Sequence, residues 1–263
     1  MNRARARVLV VGVGGIGCPA AMALARAGVG IIGLCDDDVV EPGNLHRQIL
    51  FADSDVGSPK VVAADRALRR LAPALDVRAH PARLLPADAV DRVSAYDVVL
   101  EGADNFATKF LAADACALAR VPVVHASAVR WVATALAVGA RGRPCYRCLF
   151  EDVPGDGGLG CAQAGVMGPV VGVIAAAQVD MALAIVDGLP DRAAPRPARP
   201  APSSPSPSPS PSSREGELVT FDGRTGALRR RRIEARSDCA LCGQSARIRH
   251  IEPDAYAPPA CAG

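Results

Sequence analysis

Aromatic residues are scarce in this chain: Phe, Trp and Tyr make up 3% of 263 residues, with a single Trp. Stacking surfaces for nucleobases need such rings. The charge shows no basic excess either, since 30 Lys and Arg stand against 27 Asp and Glu. Nucleic-acid binding is therefore not indicated. Lysine itself is nearly missing, because the basic side is almost all Arg and the only lysines are Lys60 and Lys109. No apolar run reaches the ~20 residues of a membrane span; the longest candidate, from Gly165 to Val186, is interrupted by Pro169, Gln178 and Asp180. Arg3, Arg5 and Arg7 precede an apolar stretch, and Ala23-Leu24-Ala25 imitates a processing site. That stretch, however, carries four glycines in loop spacing, which an export signal rarely does. The expectation is a soluble, cytoplasmic protein.

What the chain does have is an alternation of strand and helix patterns. Short apolar runs at Arg7–Val11, Gly30–Asp36, Asp76–His80, Tyr96–Glu101, Val121–Ala126 and Trp131–Gly139 read as strands. Between them, Gly15–Ala27, a segment from Ser58-Pro59 to about Leu71, Ala87–Val93 and Ala107–Ala119 read as helices. Ser58 is placed as N-cap and Pro59 as the first helical residue. Such alternation predicts an α/β fold: a Rossmann-like, mostly parallel sheet with helices on both faces. Gly168–Asp187 reads as a late buried helix. Residues 1–190 form the expected nucleotide-binding domain. A Pro/Ser-rich, disordered insert follows at 195–213. Residues 214–250 then form a hairpin around Asp222–Gly226 and a zinc-ligand segment packing on the same domain.

Gly12, Gly14 and Gly17 stand in G-x-G-x-x-G spacing directly after a strand, and Asp36 follows at the end of the next. Loop amides and a helix N-terminus there suit phosphates, and the acid suits ribose hydroxyls. The loop alone does not separate NAD from ATP. Arg47 and Lys60 do, because polyphosphate chemistry needs cations where charge builds on leaving pyrophosphate; two solvated surface charges are the bland alternative. Asp104, after the strand at Tyr96–Glu101, suits Mg²⁺ or, equally, a helix N-cap. Gly12, Asp36 and Asp104 all end strands, so they converge on one crevice.

Nine cysteines are present. Cys145, Cys148, Cys239 and Cys242 form two C-x-x-C units, the spacing of a structural Zn²⁺ site. One unit precedes the Pro/Ser insert and the other follows it, so one ion would tie its ends together. Cys161 lies in a loop before the Gly168 helix, where a thiol can be reactive or inert. Cys18, Cys35, Cys116 and Cys261 read as core fillers or a tail thiol.

Taken together, the stretches VLVVGVGGIGC, DDDVVEPGNLHRQILF, VGSPK, EGADN, PCYRCLF, CAQAGVMGPVVGVIAAAQ, LVTFDG and CALCG resemble the ThiF/MoeB/HesA family of adenylyltransferases, bacterial relatives of ubiquitin-activating enzymes. The resemblance covers nearly the whole chain. It implies ATP-dependent adenylation of the C-terminal glycine carboxylate of a small ubiquitin-like sulfur-carrier protein ending in Gly-Gly, before sulfur transfer. It implies that Gly14 and Gly15 line the nucleotide loop and that Asp36 takes the ribose. Asn44, Arg47 and Lys60 would bind phosphates, Asp104 would hold Mg²⁺, and the paired cysteines would hold zinc. Cys161 falls where many members carry a cysteine that links covalently to the carrier or to a persulfide. Members are expected to be homodimers, with an N-terminal arginine reaching the partner subunit's ATP site. Here the first strand begins at about Arg7, leaving Arg3 or Arg5 for that task. The family's Gly-Gln after Arg130 is replaced by Ala133-Thr134. No rhodanese-like domain follows, so sulfur is expected from a separate donor protein. An NAD-linked oxidoreductase, or a degenerate member that binds a carrier without chemistry, are the competing readings.

Overall fold

A computed structural model describes residues 2–153, 165–189 and 214–256. The insert at 195–213, Cys161 and Cys261 lie outside the described residues. Eight strands form one sheet: β1 (Arg7–Val11), β2 (Ile31–Cys35), β3 (Asp76–His80), β4 (Val98–Glu101), β5 (Val123–Val129), β6 (Val132–Val138), β7 (Glu217–Asp222) and β8 (Ala227–Arg232). Their order is β3-β2-β1-β4-β5-β6-β7-β8. The first five pair in parallel, and the last three join antiparallel. The helices are α1 (Gly17–Arg26), α2 (Lys60–Leu71), α3 (Ala89–Ser94), α4 (Phe106–Ala119), α5 (Tyr146–Leu149) and α6 (Gly168–Gly188).

The period-2 pleat explains the layers. Val8 and Val10 face a core with Leu24 of α1, Leu68 of α2 and Ile174 of α6. Leu9 and Val11 point the other way, onto Val93 of α3 and Phe110 of α4. Each buried strand is therefore apolar on both sides, as parallel strands between two helical layers must be. Strand order reverses between β1 and β4, and ligands in such sheets sit beyond the carboxyl ends of these strands.

Two local expectations need correction. The helix after the glycine loop starts at Gly17 rather than Gly15. In α2, Pro59 occupies the cap position, Lys60 is the first helical residue, and no side chain caps the helix. Ser58 instead accepts the Val40 N–H through its carbonyl at 2.9 Å. Pro59 bridges Val39, so the chain enters the helix one residue later than its Ser-Pro signal indicates.

Among the described residues α6 is the one helix long and apolar enough to cross a membrane, yet more than half of it is buried. The Gln178 amide on α6 donates to the carbonyls of Glu101 (2.9 Å) and Val124 (2.8 Å), pinning the helix across β4 and β5. Asp180, on its exposed side, pairs with Arg214 at 3.3 Å. The polar interruptions are thus contacts of a core helix. At its C-terminal end Asp187 holds Arg3 through two hydrogen bonds of 2.9 and 2.6 Å, so Arg3 is engaged within its own chain.

Candidate active site

A cleft of about 370 Å³ opens at the carboxyl ends of β1, β2 and β4. Its floor is the glycine loop, whose glycines divide by task. Gly12 has φ +86°, and a Cβ there would lie 3.1 Å from the Ala103 nitrogen, so only glycine lets β1 pass the loop after β4. A Cβ on Gly17 would fall 2.0 Å from the Gly12 carbonyl oxygen. Gly14, by contrast, has nothing nearer than 3.9 Å and faces open space. Helix α1 starts here without a side-chain cap or an acid in its first turn, so its dipole meets the cleft uncompensated.

Asp36 directly follows β2 and turns back over the loop. Its carboxylate accepts the Val13 N–H at 2.6 Å and the Asp38 N–H at 2.9 Å. Burial pushes its carboxyl up; Lys60 and the two amide bonds counter this without cancelling it. With two backbone bonds made, the carboxylate keeps lone pairs for further donors. Arg47 lays its stem over Gly15, where a Cβ would be 3.2 Å from its Cδ. Its guanidinium donates to Asn44 Oδ1 at 2.6 Å, and Asn44 in turn donates to Glu41 at 3.0 Å.

Lys60 is not a solvated charge. Its side chain is 6% exposed, and its Nζ lies 2.7 Å from an Asp38 oxygen that is itself on a 61% exposed side chain. Asp104 lines the cleft. The cap role is taken by its neighbour, since Asn105 Oδ1 accepts the Thr108 N–H at 2.8 Å. Gly14, Gly15, Asp36, Asn44, Arg47, Lys60 and Asp104 therefore line one cavity, although they come from five separate stretches of chain.

Three wall residues had no assigned role in the sequence reading. Gln48 is buried, and its Oε1 has no partner among the described residues; it lies one residue beyond Arg47. Arg83 lines the cleft and pairs with Asp37 at 3.2 Å, but nothing local in the sequence marks it. Ser127, on β5, reaches both this cleft and a smaller pocket under Tyr146.

The paired cysteines form a second centre, beside α5. Cys145 and Cys148 sulfurs are 3.8 Å apart, Cys145 and Cys239 3.5 Å, and Cys148 and Cys242 3.3 Å. All four lie within 4.8 Å of one another. These distances are far beyond an S–S bond of ~2.05 Å. They approach the ~3.8 Å edge of a tetrahedron built on ~2.3 Å Zn–S bonds. The donor set fits zinc, with no open position for a substrate among the four sulfurs. Elsewhere Cys18 and Cys35 are buried, which pushes each thiol up to about 12.

A model of the ThiF family matches residues 3–242. The chain is 41% identical over 254 residues to the Mus musculus protein named adenylyltransferase and sulfurtransferase MOCS3, covering 96% of this chain and 51% of the relative. It is 38% identical over 257 residues to adenylyltransferase and sulfurtransferase uba4 of Pyricularia oryzae, covering 92% and 50%. The chain thus spans about half the length of the curated relatives it matches. Among solved structures, E. coli MccB crystallised with ATP superposes with a TM-score of 0.72 at 21% identity, over 92% of this chain and 68% of MccB. PaaA superposes with a TM-score of 0.67 at 18% identity, over 89% and 66%. At those identities the likeness is one of fold.

Proposed function

The chain belongs to the ThiF family, and from that premise we propose that it adenylates the C-terminal glycine carboxylate of a small ubiquitin-like sulfur-carrier protein at the expense of ATP. The observation that supports this is the convergence of Gly14, Asp36, Asn44, Arg47, Lys60 and Asp104 on one cleft. In this reading Gly14 and Gly15 take the phosphates on backbone amides, and Asp36 accepts from the ribose hydroxyls. Lys60 exchanges the exposed Asp38 for a phosphate oxygen. Arg47, steadied by Asn44, faces the β and γ phosphates. The carrier carboxylate forms a bond to the α-phosphorus, the bond from that phosphorus to the bridging oxygen breaks, and pyrophosphate leaves with the electron pair. Asp104 holds Mg²⁺, which when bound draws charge from the phosphates. The four cysteines hold Zn²⁺ as a structural clamp. Cys161 serves as the thiol that later attacks the acyl-adenylate, forming a thioester to the carrier and releasing AMP.

The carrier enters beside β5 and β6, where Ser127 and Thr134 share a hydrogen bond of 2.9 Å at the cleft's edge. The protein works as a homodimer. Val39, Ile49, Val56 and Val62 are exposed apolar residues in the segment that carries Arg47 and Lys60, and a partner subunit would cover them; sedimentation velocity reads this directly.

ATP–pyrophosphate exchange with carriers ending in Gly-Gly tests the central reaction. Exchange should require the carrier and disappear in Asp104→Ala. NAD binding without exchange would replace this reading with an oxidoreductase. Carrier binding with no exchange in the presence of Mg²⁺ would leave a degenerate binding protein.

A further inference from the structure

Behind the cleft, on the sheet face covered by α4, Glu101, Lys109 and His125 are buried together at 0%, 5% and 2% exposure. Charges are not tolerated there unless they are paired and hydrogen-bonded; Glu101 and Lys109 are, while the Nε2 of His125 has no partner among the described residues. The Lys109 ammonium donates to Glu101 Oε1 at 3.2 Å, to Oε2 at 3.1 Å and to the Ala126 carbonyl at 2.7 Å, using all three of its protons. His125 Nδ1 lies 3.0 Å from Glu101 Oε2. A carboxylate can only accept, so the ring proton is on Nδ1. Burial pushes the imidazole pKa down, leaving a neutral ring.

One further bond carries the consequence. Glu101 Oε1 accepts the Ala103 N–H at 2.6 Å, and Ala103 directly precedes Asp104. On the other side, Asn105 is fastened to α4 as its cap. Asp104 is therefore the exposed residue between two fixed points, one of them a carboxylate that is itself held by a lysine and a histidine. Lys109 stands one turn into the helix that Asn105 caps, so the same cation joins β4, β5 and α4 behind the loop.

We propose that Glu101, secured by Lys109 and His125, is the positioning residue for Asp104: its buried carboxylate sets where the Asp104 carboxylate meets the divalent cation on the nucleotide phosphates. This rests on the adenylation reading and adds a control on its metal that the cleft residues do not contain. None of the three residues lines the cleft, so the role is read in metal dependence rather than in nucleotide contact.

The test compares two double variants of the full chain. In E101M/K109M both charges are replaced by apolar groups of similar size, so neither is left unpaired, and the acceptor for Ala103 and for the His125 Nδ1–H is lost. In E101Q/K109M a carbonyl oxygen remains for Ala103. Calorimetric ATP affinity is measured with Mg²⁺ and with EDTA, and urea melts report folding. The expected result for E101M/K109M is a loss of roughly 10- to 100-fold in Mg²⁺-dependent ATP affinity, with affinity in EDTA unchanged and most of the loss recovered in E101Q/K109M. Wild-type Mg²⁺ dependence in a folded E101M/K109M overturns the proposal. Glu101→Asp covers the case in which the double variant does not fold. It keeps a charge for Lys109 and draws the carboxylate back by one methylene, so a smaller defect of the same kind supports the proposal and none overturns it. Failure of the adenylation reading looks different: the wild-type protein would then bind ATP equally with and without Mg²⁺, and Asp104→Ala would change nothing.

Discussion

The two lysines of this chain occupy two regions that treat the same ammonium in opposite ways. Both side chains are 6% exposed. Lys109 is surrounded by protein acceptors, and its partner Glu101 is fully buried. Lys60 is paired with Asp38, which is 61% exposed. Burial of the cation therefore does not separate a structural lysine from a ligand-ready one. Exposure of the counter-ion does. Asp38 can turn to water at little cost and release Lys60 to an anion, whereas Glu101 has no solvent to turn to.

That contrast can be broken by substitution. The largest expected effect is from Lys109→Ala, which leaves an uncompensated buried carboxylate and should cost about 3–5 kcal/mol in urea denaturation. Lys60→Ala should cost about 1 kcal/mol or less in the same melt, since the group it abandons is solvated. Its effect belongs in the exchange assay, where loss of a phosphate cation should slow the rate roughly 10²–10³-fold. Equal destabilisation by the two substitutions would remove the distinction. Asn105→Ala should cost about 1 kcal/mol through the lost cap of α4; the same loss from Asp104→Ala would mean that Asp104, not Asn105, is the structural residue of the pair.

The smallest effect is in pH dependence. His125 has a folded pKa below its ordinary value because burial disfavours the imidazolium. As pH falls below about 6.5 the unfolded chain takes up a proton that the folded chain refuses, so stability should decline there. His80, also shifted down by burial, adds to the same window. The slope should flatten in His125→Gln and keep the His80 part. An unchanged slope would mean that His125 is protonated in the fold. Glu101 acts lower, because Lys109 and His125 outweigh burial and hold its carboxyl below the usual range. Its contribution is present above about pH 4.5 and is lost as pH falls further.

The parallel strands and their helices were legible because period-2 and helical apolar patterns are local. The glycine loop and the C-x-x-C pairs were legible for the same reason: their chemistry lies in spacing along a few residues. The entry to α2 was not, because Pro59 is held by Val39 across a bridge. Nor was the division of labour between Asp104 and Asn105, since both types can cap a helix and only the turn decides which one reaches the Thr108 amide.

Sequence by itself determined the sheet, the glycine loop and the two C-x-x-C halves of the four-cysteine cluster, all of which follow from backbone geometry and side-chain periodicity over short distances. Tertiary structure alone decided which charges can respond to a ligand. Glu101 meets His125 across 24 residues and Lys60 meets Asp38 across 22. The electrostatic identity of each depends on how much water its partner keeps, a quantity that exists only after the chain has packed.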